Sequence, residues 1–335
     1  MTDYYQGNDQ AKPKRAWRTL LLGIRAFFPA LFLLISGVII YLNREILGDI
    51  DQQFSILLLA ATGLFLTSRV INSLALYFLL RDHAANLDKK TLIYLDLISS
   101  LLNYLPFKPG LFAKAIFLKQ SQRIGFQLFG FSIIYLNIVQ LFAACFLALI
   151  SASALMTGMA ALYEQNPTSL LLLFFAGLMV PAYIFLPTIL EKAQAVLAKR
   201  NFSLSKAKQM RSIFPNGPAS ALQGGLAFLM GILITLRLQV CFFAIGESVP
   251  LVTVLFLAMI AVPARLITFI PGGVGIRETL IVLGGTLIGL PLTTTLTAAS
   301  LDRLVQFVSL LIFGSVSSIM LSHTLPISAP ENNAS

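Results

Sequence analysis

The chain has 335 residues, 57% of them hydrophobic and 11% charged, with a formal net charge of +10 and a mean hydropathy of +0.84. Ordinary soluble domains carry about 25% charged residues, so the composition excludes a soluble globular domain. It points to an all-α polytopic membrane protein, in which each span needs about 20 apolar residues.

In chain order, residues 1–18 form a polar, basic terminus expected to be disordered and cytoplasmic. Six spans are predicted at about 20–41, 54–80, 126–153, 169–190, 219–246 and 293–321. The first is too long for a signal peptide, and no small-residue cleavage site follows it. Two further apolar regions, 91–120 and 250–290, are interrupted by Pro and Gly. Helical pieces of about 10–14 residues cannot cross about 30 Å of hydrocarbon, so each region is predicted to be a re-entrant helical hairpin. The first limb of the second hairpin is long enough to approach a full span. Residues 322–335 are expected to be disordered.

Lys and Arg cluster before the first span, at Arg81, Lys89 and Lys90, at Lys114, Lys119 and Arg123, and from Lys192 to Arg211. The alternate loops, Asn43–Gln53, Thr157–Thr168 and Gly246–Pro250, hold only Arg44 among the basic residues. By the positive-inside rule the basic loops and both termini are cytoplasmic. The excess positive charge therefore reads as membrane topology and attraction to anionic headgroups, with no nucleic acid as partner. The first hairpin then opens to the cytoplasm and the second to the other side. The halves, 19–155 and 169–321, have the same order in opposite orientations, an inverted repeat of the kind found in transporters. Residues recur at a nearly constant offset: Pro106 and Gly110 with Pro271 and Gly275, Thr67 and Arg69 with Thr235 and Arg237, Asn137 and Gln140 with Arg303 and Gln306.

Arg69, Arg237, Arg265, Arg277 and Arg303 fall inside apolar runs, with only Asp96, Glu278 and Asp302 as acids at similar depth. A charge at a helix centre costs about 2.5–3.5 kcal/mol on insertion scales, so these groups must face the protein interior or a wet cavity. Internal ion pairing is the bland account, and Glu278 also suits the first turn of a half-helix. Five arginines against three acids nevertheless predict an uncompensated positive cavity. A guanidinium fork and free N–H groups at a half-helix N-terminus match a phosphate. The expected partner is an anionic lipid headgroup, from a phospholipid or a polyprenyl phosphate. Lys108 and Lys114 repeat the chemistry at the first breaker, unless they merely snorkel to the interface. Asp96 serves either Lys114 or the hairpin itself. Pro106, Gly110, Pro271, Gly272, Gly273 and Gly275 are the hairpin breakers.

No cofactor or metal is expected. Cys145 and Cys241 lie in apolar spans, and His83 and His323 have no ligand cluster around them. The glycines at 272–275 lack the strand before and the Gly-Lys-Ser/Thr after that a phosphate loop needs. Gly285 and Gly289 have the spacing for close helix packing.

Pro271-Gly272-Gly273-Val274-Gly275-Ile276-Arg277-Glu278 resembles the Pro-Gly-Gly-x-Gly-x-x-Glu signature of the lysylphosphatidylglycerol synthase transmembrane family, also called flippase-like. Asn103 to Gly110, continuing to Lys114, resembles that family's earlier Asn-x-x-Pro-x-Arg-x-Gly-Glu-x-x-Arg segment. Leu111 stands where the family has Glu, Lys108 and Lys114 replace arginines, and Leu136-Asn137 stands where relatives often carry Glu-Arg. The resemblance implies lipid translocation. The soluble aminoacyltransferase domain of fused members is not expected here, so lipid aminoacylation is not implied.

The expected function is that of a non-enzymatic lipid translocase of the inner membrane working by alternating access. The alternatives are a membrane enzyme acting on a lipid-linked sugar or modified phospholipid, and an accessory subunit for a lipid-modifying enzyme or glycosyltransferase. The topology has a direct check. In a background with Cys145 and Cys241 replaced by Ala, an impermeant maleimide added to whole cells should label Asn166→Cys and leave Ser203→Cys unlabelled.

Overall fold

The computed structural model describes residues 52–84, 87–105, 109–159, 218–266 and 275–324. The predicted spans at 20–41 and 169–190 lie outside these residues, as do the loop from Lys192 to Arg211, Pro106, Lys108, and Pro271, Gly272 and Gly273. The architecture is all-helical. In chain order the helices are α1 (Gln52–Leu80), α2 (Lys89–Leu102), α3 (Pro109–Gln122), α4 (Phe126–Met159), α5 (Pro218–Ala244), α6 (Leu251–Ile260), α7 (Ile276–Leu287) and α8 (Leu292–Thr324). Among the described residues α1, α4, α5 and α8 are long and apolar enough to cross a membrane, and they coincide with the predicted spans there. Side chains such as Leu59, Ile134, Phe146 and Ile312 project from them exposed, as hydrocarbon-facing residues must.

The shorter helices come in two pairs, α2 with α3 and α6 with α7, and the members of each pair pack together. At 1.5 Å per residue, the 14 residues of α2 reach about 21 Å. The 10 residues of α6 reach about 15 Å. The long first limb expected in the second region is therefore replaced by a short helix and a 3-10 turn, Val262–Leu266, because Pro263 follows it closely.

Local chemistry starts each piece. Asp88 caps α2 by accepting the Thr91 N–H at 3.1 Å. Proline at the head of α3 has no N–H to leave unsatisfied, and the Asn103 side chain accepts the Leu111 N–H at 3.1 Å. Asn103 therefore ties the end of α2 to the start of α3. Before α7, Gly275 has φ of 90°, a conformation glycine adopts without a Cβ penalty. Glu278 Oε2 accepts its N–H at 2.8 Å. Gly289 does not pair with Gly285 in a helix seam: α7 ends at Leu287, and Gly289, at φ 83°, turns the chain into α8. Gly285 alone makes the close approach, to the Thr295 side chain.

The helices pack in a pattern that survives exchange of α1–α4 with α5–α8. The exchange turns α1 against α5 into itself. It turns α2 against α8 into α6 against α4, and α1 against α2 into α5 against α6. Each half's first short helix thus leans on the other half's last long one. The two larger cores among the described residues hold Leu76, Leu80, Leu92 and Leu118 in one, and Leu238, Phe242, Leu257 and Ile281 in the other. Between α2 and α8, Tyr104 meets Phe307 edge-on at 5.0 Å, and Gly314 lies against Leu101.

Glycines separate packing from propensity. A Cβ at Gly110 would overlap the Ser99 carbonyl, whereas nothing lies within 4 Å of one at Gly63. Gly110→Ala should therefore destabilise the protein by about 1–3 kcal/mol, and Gly63→Ala should stabilise it by about 0.5–1 kcal/mol. Opposite shifts of the thermal transition in micelles are the expected result.

Candidate functional site

The deep charges gather into three groups. In the first, Asp96 on α2 takes a cation on each oxygen: Arg69 of α1 lies 2.7 Å from Oδ2 and Lys114 of α3 lies 2.7 Å from Oδ1. Asn72 donates to Oδ1 at 3.2 Å and accepts from Gln140 of α4 at 3.1 Å. Arg69 also donates to Ser100. Asp96 and Lys114 are each 3% exposed, so Lys114 turns inward and does not snorkel. Asp96 serves two cations and ties α2 to both α1 and α3.

In the second group, Asp302 on α8 is fully buried and again shared. Arg237 of α5 approaches Oδ1 at 2.5 Å, Arg277 of α7 approaches Oδ2 at 2.5 Å, and Gln306 donates to Oδ2 at 2.8 Å. Arg237 also lies over the Phe65 ring, 5.4 Å from its centroid. The third group is a pair, Arg303 Nε with Glu278 Oε1 at 3.2 Å. Its guanidinium lies over Tyr104 at 5.6 Å. The carboxylate that anchors the start of α7 therefore also reaches α8.

The first two groups have one composition: an arginine from the second predicted span of the half, a cation from the second short helix, one aspartate, and a glutamine from the long helix that follows. They differ in where the acid sits. It comes from the first short helix in one half and from the last long helix in the other, so the equivalence is of chemistry and place, not residue by residue.

The geometry places the expected excess of positive charge on paired groups and not on free arginines. Every described deep cation has a carboxylate partner, because a buried charge left alone costs several kcal/mol. What remains is an excess of one positive charge at Asp96 and one at Asp302, since each carboxylate neutralises one of two cations. The Arg265 side chain and Lys108 lie outside the described side chains. Gly110 lies in the first turn of α3, and Gly275 immediately precedes α7. Asn72 and Ser100 escaped the sequence reading; Asn72 sits one turn beyond Arg69, which was their only signal. Gln140 and Gln306 appeared there only as repeat markers. No group of His, Cys, Asp and Glu able to hold a metal occurs among the described residues.

A family profile described as the lysylphosphatidylglycerol synthase TM region matches residues 21–314. A UPF0104 membrane protein from Methanothermobacter thermautotrophicus is 26% identical over 114 residues, 32% of this chain and 32% of that protein. The chain therefore spans about a third of the length of the curated relative it matches. No solved structure matches it.

Shared carboxylates make a measurable coupling. Asp302→Asn should cost about 3–5 kcal/mol by leaving two guanidiniums short of a counter-ion. Adding Arg237→Gln should cost less than the two single changes summed, with a coupling of at least about 1 kcal/mol. Denaturant titration in micelles across the four-member cycle reads it.

Proposed function

The chain belongs to the lysylphosphatidylglycerol synthase transmembrane family, and from that premise we propose that it carries the headgroup of an anionic lipid across the cytoplasmic membrane. The observation that carries the reading is the pair of buried centres in which two cations share one aspartate. A carboxylate already occupying the fork of an arginine is a resident anion. A lipid phosphate offers a pair of oxygens to the same planar fork, so it can take the place of Asp96 or Asp302 on one cation while the other cation holds the aspartate.

In this reading α2 with α3 and α6 with α7 are re-entrant hairpins opening to opposite sides, with both termini cytoplasmic. Each hairpin brings one cation, Lys114 or Arg277, to an arginine of a spanning helix, Arg69 or Arg237. Arg303 and Glu278 fix the second hairpin to the last span. Lys108 and Arg265 add positive charge near the breakers. Translocation is then a rocking of one inverted repeat against the other, exchanging the headgroup between centres. The exchange-symmetric packing supports it, because the first short helix of each half rests on the other repeat, so a tilt of one half is felt in the other.

The protein acts as a carrier and not as an enzyme. Asp96, Glu278 and Asp302 are each engaged by a cation, which disfavours them as general bases. Partner enzymes are not required by this scheme.

In vesicles reconstituted with the protein and fluorescent phosphatidylglycerol, dithionite quenching should report headgroup movement. Arg277→Ala and Glu278→Ala should abolish it while leaving a monodisperse, cooperatively melting protein. Unchanged movement in both would sink the site assignment.

A further inference from the structure

A cavity of about 140 Å³ lies against the first centre and is lined by Arg69, Asp96 and Lys114. Its remaining polar lining is uncharged: Asn72, Ser99, Ser100, Asn103, Asn137 and Gln140. Asn137 is exposed and marks the mouth, while Asp96, Ser99 and Lys114 are buried. The Nε of Arg69 is buried without a hydrogen-bond partner among the described residues, a donor that a ligand oxygen would satisfy.

Charge and size together restrict the ligand. Two cations on one carboxylate leave a single positive charge. A monoanion neutralises it, whereas a dianion leaves a buried negative charge that costs several kcal/mol. A cavity of about 150 Å³ holds benzene, six heavy atoms. A phosphate with its first ester atoms is close to that size, whereas a diphosphate is larger and brings further charge. Neutral amides and hydroxyls suit ester and hydroxyl oxygens, not an ammonium group.

We infer that this cavity binds the phosphodiester of a singly charged lipid headgroup and discriminates against lipid phosphomonoesters and diphosphates. The inference deepens the translocase reading and rests on it. It narrows the lipids left open by the arginines alone, since a free prenyl phosphate or diphosphate carries too much charge.

The test uses the purified full chain in micelles and isothermal titration calorimetry. The probes are dihexanoyl phosphatidylglycerol, a diester; dihexanoyl phosphatidic acid, a monoester; dihexanoyl phosphatidylcholine, a zwitterion; and dimethyl phosphate, a soluble diester. With a second phosphate pKa of about 6, the monoester is a dianion at about pH 8 and a monoanion at about pH 5. At the higher pH the phosphatidylglycerol probe should bind at least about tenfold tighter than the other two lipids. At the lower pH its affinity should hold, and phosphatidic acid should approach it. Asn137→Leu, which touches no ion pair, should weaken the diester severalfold, and Lys114→Gln, which makes the centre neutral, should weaken it further.

Equal affinity for all three lipids would overturn the inference, as would a diester affinity indifferent to both substitutions. Dimethyl phosphate binding as tightly as the lipid diester would assign the cavity to a soluble ester and overturn the lipid assignment. Selective binding with no vesicle transport would remove the translocase reading and keep the site. Transport without diester preference would do the reverse.

Discussion

An aspartate buried among apolar helices must be held by cations, and the cations must be held by it. Asp302, with Arg237 and Arg277 on its two oxygens, joins α5, α7 and α8 through that mutual need. Asp96 does the same for α1, α2 and α3. Neither aspartate can leave its cations without stranding charge at a cost of several kcal/mol. The charges therefore fix where α2, α3 and α7 sit, while among the described residues α6 is held by apolar packing alone.

The second constraint is the backbone. A chain that breaks its helix inside a packed helical bundle must find partners for the freed N–H groups. At the first break Asn103 supplies one through the Leu111 N–H; at the second, Glu278 takes the Gly275 N–H and Arg303 together. In this way the turn, the ion pair and the neighbouring long helix become one unit. The break costs little because the charge chemistry already stands beside it. The exchange-symmetric packing extends the unit across the molecule, since α2 rests on α8 and α6 rests on α4.

The charge balance shapes the functional reading. A fully neutral network would be a structural clamp, and five unpaired arginines could not be buried. An excess of one positive charge at each aspartate lies between those limits. It keeps the helices together and leaves an attraction that the proposed phosphodiester would satisfy. The cavity beside Asp96 gives that attraction a location, with Asn137 at its mouth.

Much of this was legible in the sequence. Length and hydropathy gave the long helices α1, α4, α5 and α8 almost to their ends, because about 20 apolar residues in a row have few other uses. Proline and glycine gave the breaks, and the scarcity of charge made each buried ion conspicuous. Which cation meets which acid was not legible. Arg69 lies 27 positions from Asp96, and Arg237 lies 65 from Asp302, so those partners are chosen by how helices cross. The sequence showed five arginines and three acids and read an uncompensated positive cavity. The tertiary structure decided that each acid is occupied and that one positive charge remains at each shared aspartate, because a side chain's partner is set by packing distance in three dimensions.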